Sequence, residues 1–252
     1  MNKIVLITGA TSGFGEAMAH KFASEGYACI ITGRREEKLT TLSQLLEQQY
    51  NIAVLPVVLD VQNKAAVLAA VHNLPLAWQA VDVLINNAGL ALGREPFDEA
   101  DICDWDTMID TNVKGLLYVS KAIVPLMIGR KKGGIIINIG SIAGKEVYKD
   151  GNVYCATKHA VDAISKAMRI DLLQHAIKVT VIHPGAADTE FSKVRFKGNV
   201  PKAAAVYQGY EPLLATDIAN TAFYCATLPP HVCINDLVIT PTAQANSFYL
   251  HK

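Results

Sequence analysis

The sequence predicts an α/β fold, a doubly wound parallel sheet with helices on both faces. Two observations predict it: short β-branched runs alternate with longer stretches of helical period, and several of those runs are apolar on both faces. Strands of that kind are the ones helices cover from either side. Expected strands are Lys3 to Thr8, Ala28 to Thr32, Ala53 to Val58, Val83 to Ile85, Gly134 to Ile139, Lys178 to Ile182 and Leu237 to Ile239. Between the first two, Ala17, Met18, Phe22 and Ala23 recur at helical spacing and Gly26 ends the run, so the chain opens as strand, helix, strand. Asp104 to Gly129 and Tyr154 to His175 also read as helices, with Pro125 expected to disturb the end of the first. Thr189 to Tyr210, polar and interrupted by Pro201, is the least regular segment and a candidate lid.

A length of 252 residues suits one core, so residues 1–252 are expected to form a single domain. Apolar residues make up 51% and charged residues 18%, a balance for a compact globule. Basic and acidic residues number 23 each, which gives no electrostatic reason for a nucleic-acid or anionic-membrane partner. Cys29, Cys103, Cys155, Cys225 and Cys233 form no C-x-x-C pair and read as free thiols of a reducing compartment. The apolar run Ile4 to Ile7 is too short for a signal-peptide core and no long apolar span occurs, so a cytoplasmic location is expected. The seven histidines show no metal-ligand spacing. Trp78 and Trp105 are assigned to packing, and His183 to a structural role.

Directly after the first strand stands Thr8-Gly9-Ala10-Thr11-Ser12-Gly13-Phe14-Gly15. Three glycines at a strand-to-helix turn let the backbone approach a pyrophosphate, and the N–H groups of the helix start stabilise its charge. The spacing is G-x-x-x-G-x-G rather than G-x-G-x-x-G. About 20 residues on, where an acid on the ribose hydroxyls would signal NAD, the chain reads Thr32-Gly33-Arg34-Arg35. A guanidinium there suits the 2′-phosphate of NADP, which a carboxylate would repel, so NADP(H) is the expected cofactor.

Tyr154 and Lys158 are four apart and share a helical face; Ser141 follows a strand end, where open α/β sheets bind ligands. Asn112 adds a polar group to an apolar helical stretch. With Thr8-Gly9 to Gly15, Asn86-Asn87-Ala88-Gly89 and Pro184-Gly185, these residues resemble the short-chain dehydrogenase/reductase family in order, spacing and length. The resemblance implies a Rossmann-type fold and hydride exchange between NADP(H) and a small carbonyl or alcohol. It makes Tyr154 the proton-transfer residue, Ser141 a hydrogen-bond donor to the carbonyl oxygen, Lys158 the holder of the nicotinamide ribose, and Asn112 the anchor of a proton-conducting water. A nearby cation, Lys158 and the nicotinamide if oxidised, is expected to favour the phenolate and lower its pKa. Further implied cofactor contacts are Asp60 and Val61 at the adenine, Asn87 and Gly89 at the ribose, and Pro184, Gly185 and Thr189 at the nicotinamide end, beside Gly9, Thr11, Ser12, Gly13, Phe14, Gly15, Arg34 and Arg35. The family also implies a homotetramer.

Arg195, just beyond Pro184-Gly185, is either a clamp for a carboxylate or sulfonate or a solvated surface charge; Tyr148 either adds a hydroxyl to the pocket or packs. Asn86 to Gly93, Gly151 to Tyr154 and Val194 to Gly198 resemble a bacterial group of 3-hydroxy acid dehydrogenases and its sulfoacetaldehyde-reducing relatives. A small anionic aldehyde or hydroxy acid is thus the expected substrate. Ala186-Ala187-Asp188-Thr189 departs from that group's glycine-containing stretch. A carbonyl reductase for neutral ketones and an NADP-binding sensor without turnover are the alternatives. The tail Gln244 to Lys252 either crosses an interface onto a neighbour's pocket or is frayed.

Overall fold

A computed structural model describes residues 2–252. In chain order, the elements are β1 (Ile4–Ile7), α1 (Gly13–Ser24), β2 (Ala28–Gly33), α2 (Glu36–Tyr50), β3 (Val54–Val58), α3 (Lys64–His72), β4 (Val81–Asn86), α4 (Ile102–Ile109) and α5 (Leu116–Gly129). Then follow β5 (Gly134–Ile139), α6 (Asn152–Asp171), β6 (Ile177–Pro184), α7 (Glu190–Arg195), α8 (Val200–Ala205), α9 (Ala215–Thr227) and β7 (Asp236–Ile239). All seven strands pair in parallel in the order β3-β2-β1-β4-β5-β6-β7. The chain therefore winds outward from β1 in one direction and from β4 in the other. Loops leaving β1 and β4 diverge, and the crevice between them lies at the carboxyl edge where such sheets take ligands.

Both sheet faces are covered. On one, Phe22 of α1, Leu39 and Leu46 of α2 and Ile218 of α9 pack against Val5, Ile7 and Ile31. On the other, Val67 of α3 and Val119, Ile123 and Met127 of α5 pack against Leu6, Leu84 and Ile136. This explains why β1 is buried at every position. Trp78 packs against the second cluster and Trp105 against a smaller one around Leu90 and Tyr154. No helix among the described residues is long and apolar enough to cross a membrane.

Helix ends follow local chemistry. Asn63 caps α3 by accepting from Ala66 N at 3.0 Å, Asp101 caps α4 through Cys103 N, and Thr189 caps α7 through Phe191 N. The stretch expected as one helix from Asp104 to Gly129 is two α-helices joined by a π-helical turn, Asp110–Gly115. Pro125 does not end it: α5 continues to Gly129, and the irregularity lies ten residues or more upstream, at the turn that holds Asn112. Inserted π turns concentrate at functional sites. Helix α6 ends at Asp171, short of the expected His175, and a 3₁₀ turn, Leu173–His175, completes the segment. The candidate lid is ordered into the short helices α7 and α8.

Candidate active site

The cleft above the β1/β4 divergence has a volume of about 920 Å³ and runs from Arg34 past the glycine turn and Tyr154 to the tail. At one end, Gly9 and Gly13 take φ of +66° and +56°, values that side-chain-bearing residues rarely adopt. A methyl on Gly15 would lie 2.2 Å from the Gly9 carbonyl oxygen, so only glycine lets the turn close on α1. Asn87 secures this turn from β4: its Nδ2 donates to Thr8 O at 2.9 Å and Gly9 O at 3.1 Å. Thr8 Oγ1 in turn accepts from the backbone N–H groups of Asn87 and Ala88. Thr11, Ser12, Phe14, Asp60 and Val61 also line the cleft. Thr189 faces Gly13 across it, 3.2 Å from where a Cβ would sit.

The two arginines differ. Arg34 is exposed along the cleft wall with no ion pair or hydrogen bond from its side chain to another described residue. Arg35 is engaged as a brace, donating to Thr11 Oγ1 and O and to Ser12 Oγ, while its Nη1 pairs with Glu190 at 3.0 Å. Lys38 binds the same carboxylate at 3.1 Å. Of the two guanidiniums, Arg34 is the one fully available to a phosphate. A glycine turn closed to any side chain and an unpaired guanidinium beside it fit a phosphorylated dinucleotide.

At the centre, Tyr154 and Lys158 project from α6 and are both buried. Lys158 Nζ donates to Ile139 O at 2.9 Å and lies 6.0 Å from the Tyr154 ring centroid. Ser141, extended past β5, caps the turn Ile142–Gly144 by accepting from Ala143 N, and its hydroxyl faces the phenol. The expectation that Lys158 by itself makes the phenol more acidic is corrected here. Burial is the largest influence on Tyr154 and pushes its pKa well above the ordinary tyrosine value; the Tyr148 oxygen adds to the rise, while Ser141 and Arg195 oppose it. Lys158 does not offset this, because burial lowers its own pKa to about 8 and its proton is held by a backbone carbonyl. The protein alone therefore keeps the phenol protonated, the form that gives a proton to a reduced carbonyl.

Asn112, almost fully buried, uses its whole side chain on protein groups. Its Oδ1 accepts from Leu90 N at 2.8 Å, and its Nδ2 donates to Leu90 O at 2.8 Å and to Thr157 Oγ1 at 3.1 Å. The side chain thus pins the strand-end loop after Gly89 to α6; a water anchored at Asn112 would have to use its backbone carbonyl, not the amide.

Arg195, at the end of α7, is neither solvated nor fully paired. Its Nε donates to Gly93 O at 3.2 Å and its Nη1 to the Tyr148 hydroxyl at 3.0 Å, whereas Nη2 is buried with no partner among the described residues. The guanidinium carbon lies 5.5 Å from the Tyr154 ring centroid and 5.6 Å from that of Tyr148. Arg195 and Tyr148 line the cleft together, joined by the hydrogen bond between them.

Several contributors escaped the sequence reading. Asn86 bridges Ser120 and Asn138, and Asn138 continues to Ser165, a buried polar row that fixes β4 and β5 to their helices. The Asn86 of the Asn-Asn-Ala-Gly run was its only sequence signal. Tyr207 donates to Ala187 O and bonds Ser192 Oγ, tying α7 and the segment after α8 to the loop that departs from the related group. Gln244 Oε1 accepts from Ala186 N at 2.8 Å on the same loop, and a Cβ on Gly185 would lie 2.3 Å from it. Asp162, His183 and Asp236, far apart in sequence, converge below Ser141, whose carbonyl lies 2.9 Å from His183 Nδ1. Lys145 sits between the two carboxylates, 3.0 Å from Asp162 and in contact with Asp236, so an ammonium already supplies the positive charge there.

The sheet order, the glycine turn and the serine, tyrosine and lysine beside it define a dinucleotide-dependent oxidoreductase. A model of the short chain dehydrogenase family matches residues 3–199, and the chain belongs to that family. Over its whole length it is similar to sulfoacetaldehyde reductase 2 of Chromohalobacter salexigens, 46% identical over 249 residues that cover 99% of this chain and 98% of the relative. It is 47% identical to the NADP-dependent 3-hydroxy acid dehydrogenase YdfG of Escherichia coli K12, covering 96% of each chain. The closed form of a serine dehydrogenase complexed with NADP+ superposes with a TM-score of 0.92 at 45% identity, covering 99% of both chains.

Proposed function

We propose that this enzyme uses NADP(H) to reduce a short aldehyde bearing a terminal acid group, such as sulfoacetaldehyde or malonic semialdehyde, and catalyses the reverse oxidation of the β-hydroxy acid. The observation that carries the substrate class is the buried, unpaired Nη2 of Arg195 beside the Tyr154 ring. A buried cationic donor left unmatched is costly unless a ligand matches it, and a carboxylate or sulfonate oxygen does so. The names of the relatives, a sulfoacetaldehyde reductase and a 3-hydroxy acid dehydrogenase, support the same class.

When bound, the dihydronicotinamide supplies the hydride. The remaining work belongs to the protein. Arg195 holds the acid group, which leaves the aldehyde carbon two bonds away beside Tyr154. Ser141 donates a hydrogen bond to the carbonyl oxygen as charge develops on it, and Tyr154 gives its phenolic proton to that oxygen. The aldehyde thereby gains a hydride at carbon and a proton at oxygen and leaves as the hydroxy acid. Lys158 orients the ribose hydroxyls, and Asn112 keeps the adjoining loop in place. Arg34 reads the cofactor's 2′-phosphate.

The test is NADPH consumption with sulfoacetaldehyde, malonic semialdehyde and neutral propanal. Arg195→Ala is expected to raise KM for the acid-bearing aldehydes by about tenfold or more, the loss of a charge-assisted hydrogen bond, and to spare propanal. Equal rates on neutral and anionic aldehydes in the parent enzyme would refute the assignment. A reductase for neutral ketones would have no use for a guanidinium at this position. The five free thiols support a reducing, cytoplasmic setting. Exposed Ile102, Ile109 and Leu117 on α4 and α5 and Ile170 on α6 support assembly, for which we propose a homotetramer; sedimentation at low concentration checks it.

A further inference from the structure

The tail 244–252 is neither frayed nor directed away from its own chain. It turns back after β7 as a small hairpin: Gln244 bridges Leu250, Ala245 N donates to Tyr249 O at 3.0 Å, and His251 N donates to Ala243 O at 2.9 Å. Asn246 Oδ1 closes the tip by accepting from Phe248 N and Tyr249 N. Gln244 fastens one end of the hairpin to Ala186, at the Pro184-Gly185 loop. Glu146, in the loop between Ser141 and Tyr154, fastens the tip by accepting from Ser247 N at 2.7 Å. The hairpin therefore spans the two loops that flank the reacting carbon. Its residues divide by side: Gln244, Asn246, Ser247, Leu250 and Lys252 line the cleft, whereas Phe248 and Tyr249 are exposed.

Ser247 stands out within this wall. Its backbone N–H is taken by Glu146, but its Oγ is buried with no partner among the described residues. Arg195 also lines the cleft, and its Nη2, on a guanidinium 5.5 Å from the Tyr154 ring centroid, is likewise buried with no partner among the described residues. A buried hydroxyl normally finds an acceptor in the protein. Here one donor comes from α7 and one from the tail, on residues that line the same cleft.

We propose that Ser247 is a specificity-determining residue, its hydroxyl donating to a second oxygen of the substrate's acid group while Arg195 binds the first. This rests on the acid-bearing substrate class argued above. It makes the tail hairpin a working wall of its own chain's pocket. Arg195 alone would hold the acid by one contact and leave it free to swing; a second contact from the tail fixes the direction in which the aldehyde points.

The experiment compares Ser247→Ala, Ser247→Thr and Arg195→Ala on malonic semialdehyde, sulfoacetaldehyde and propanal with saturating NADPH. Ser247→Ala is expected to raise KM about tenfold for both acids, as for the loss of a hydrogen bond to a charged group, with propanal kinetics unchanged and Ser247→Thr close to the parent. Should Ser247→Ala leave the acids unaffected while Arg195→Ala raises their KM, the Ser247 role is overturned and the acid-bearing class stands. If neither variant changes acid KM, the substrate class itself falls. A loss shared equally by propanal and the acids, or matched by a lower melting temperature, marks Ser247 as merely structural and also overturns the proposal.

Discussion

Replacing Asn112 with alanine removes three hydrogen bonds from a largely buried site. The side chain is 2% exposed and Leu90, its main partner, 8%. Thr157 keeps a partner, because its hydroxyl also donates to Tyr154 O at 2.8 Å. Leu90 is left with an unpaired N–H and an unpaired carbonyl, at about 1–3 kcal/mol for each buried orphan, or roughly 2–6 kcal/mol together. Set against a total stability of about 5–15 kcal/mol, that is a large fraction. For a chain of this size each kcal/mol shifts the melting temperature by about 2–4 °C, so a fall of at least about 4 °C is expected. The loss should also weaken NADPH binding, since Gly89 lies between Asn112 and Lys158, with 3.3 Å from its Cβ position to Asn112 Oδ1 and 3.5 Å to Lys158 Nζ. Asn112→Asp is expected to rescue little, because it places a carboxylate oxygen against the Leu90 carbonyl. Differential scanning fluorimetry and NADPH fluorescence titration measure both effects. A variant that melts within 1 °C of the parent, as roughly expected of a surface change, and binds NADPH equally well would refute the bracing role.

Other outcomes follow from the same geometry. Tyr154→Phe is expected to abolish turnover while leaving NADPH binding intact, read by single-turnover absorbance and titration; retained turnover would remove the proton donor from the mechanism. Gly15→Ala forces a methyl against the Gly9 carbonyl and should weaken NADPH by about fivefold or more, consistent with overpacking of about 1–3 kcal/mol, in a binding titration. Arg34→Ala should weaken NADPH about tenfold or more and leave NADH unchanged, which the ratio of the two dissociation constants reports. Burial of Lys158 favours its neutral form, so its folded pKa of about 8 lies below the unfolded value of 10.5. Between those values the unfolded chain binds more protons, and this residue's contribution to stability rises with pH through that window and is absent below it. Chemical denaturation of the parent minus Lys158→Met at pH 7 and 9.5 isolates that contribution from the buried thiols Cys29 and Cys225, whose raised pKa values act in the opposite sense; a difference that does not change with pH contradicts the burial argument.

The amino-acid order by itself determined the alternation that builds the sheet, the glycine turn and the pairing of Tyr154 with Lys158 on one helical face. Each is a short-range pattern, readable because strand and helix periods and backbone φ are set within a few residues. Only the tertiary structure decided which arginine stays free beside the glycine turn, since Arg35 is occupied by Glu190, 155 residues away. It alone reversed the expected acidity of Tyr154, because desolvation depends on everything packed around the phenol and not on the spacing to one lysine. The Asn112 brace, the Lys145 cluster beneath Ser141 and the tail hairpin over the cleft belong to the same class. Their partners lie 17 to 101 residues apart, and no local period records which distant side chains burial will bring together.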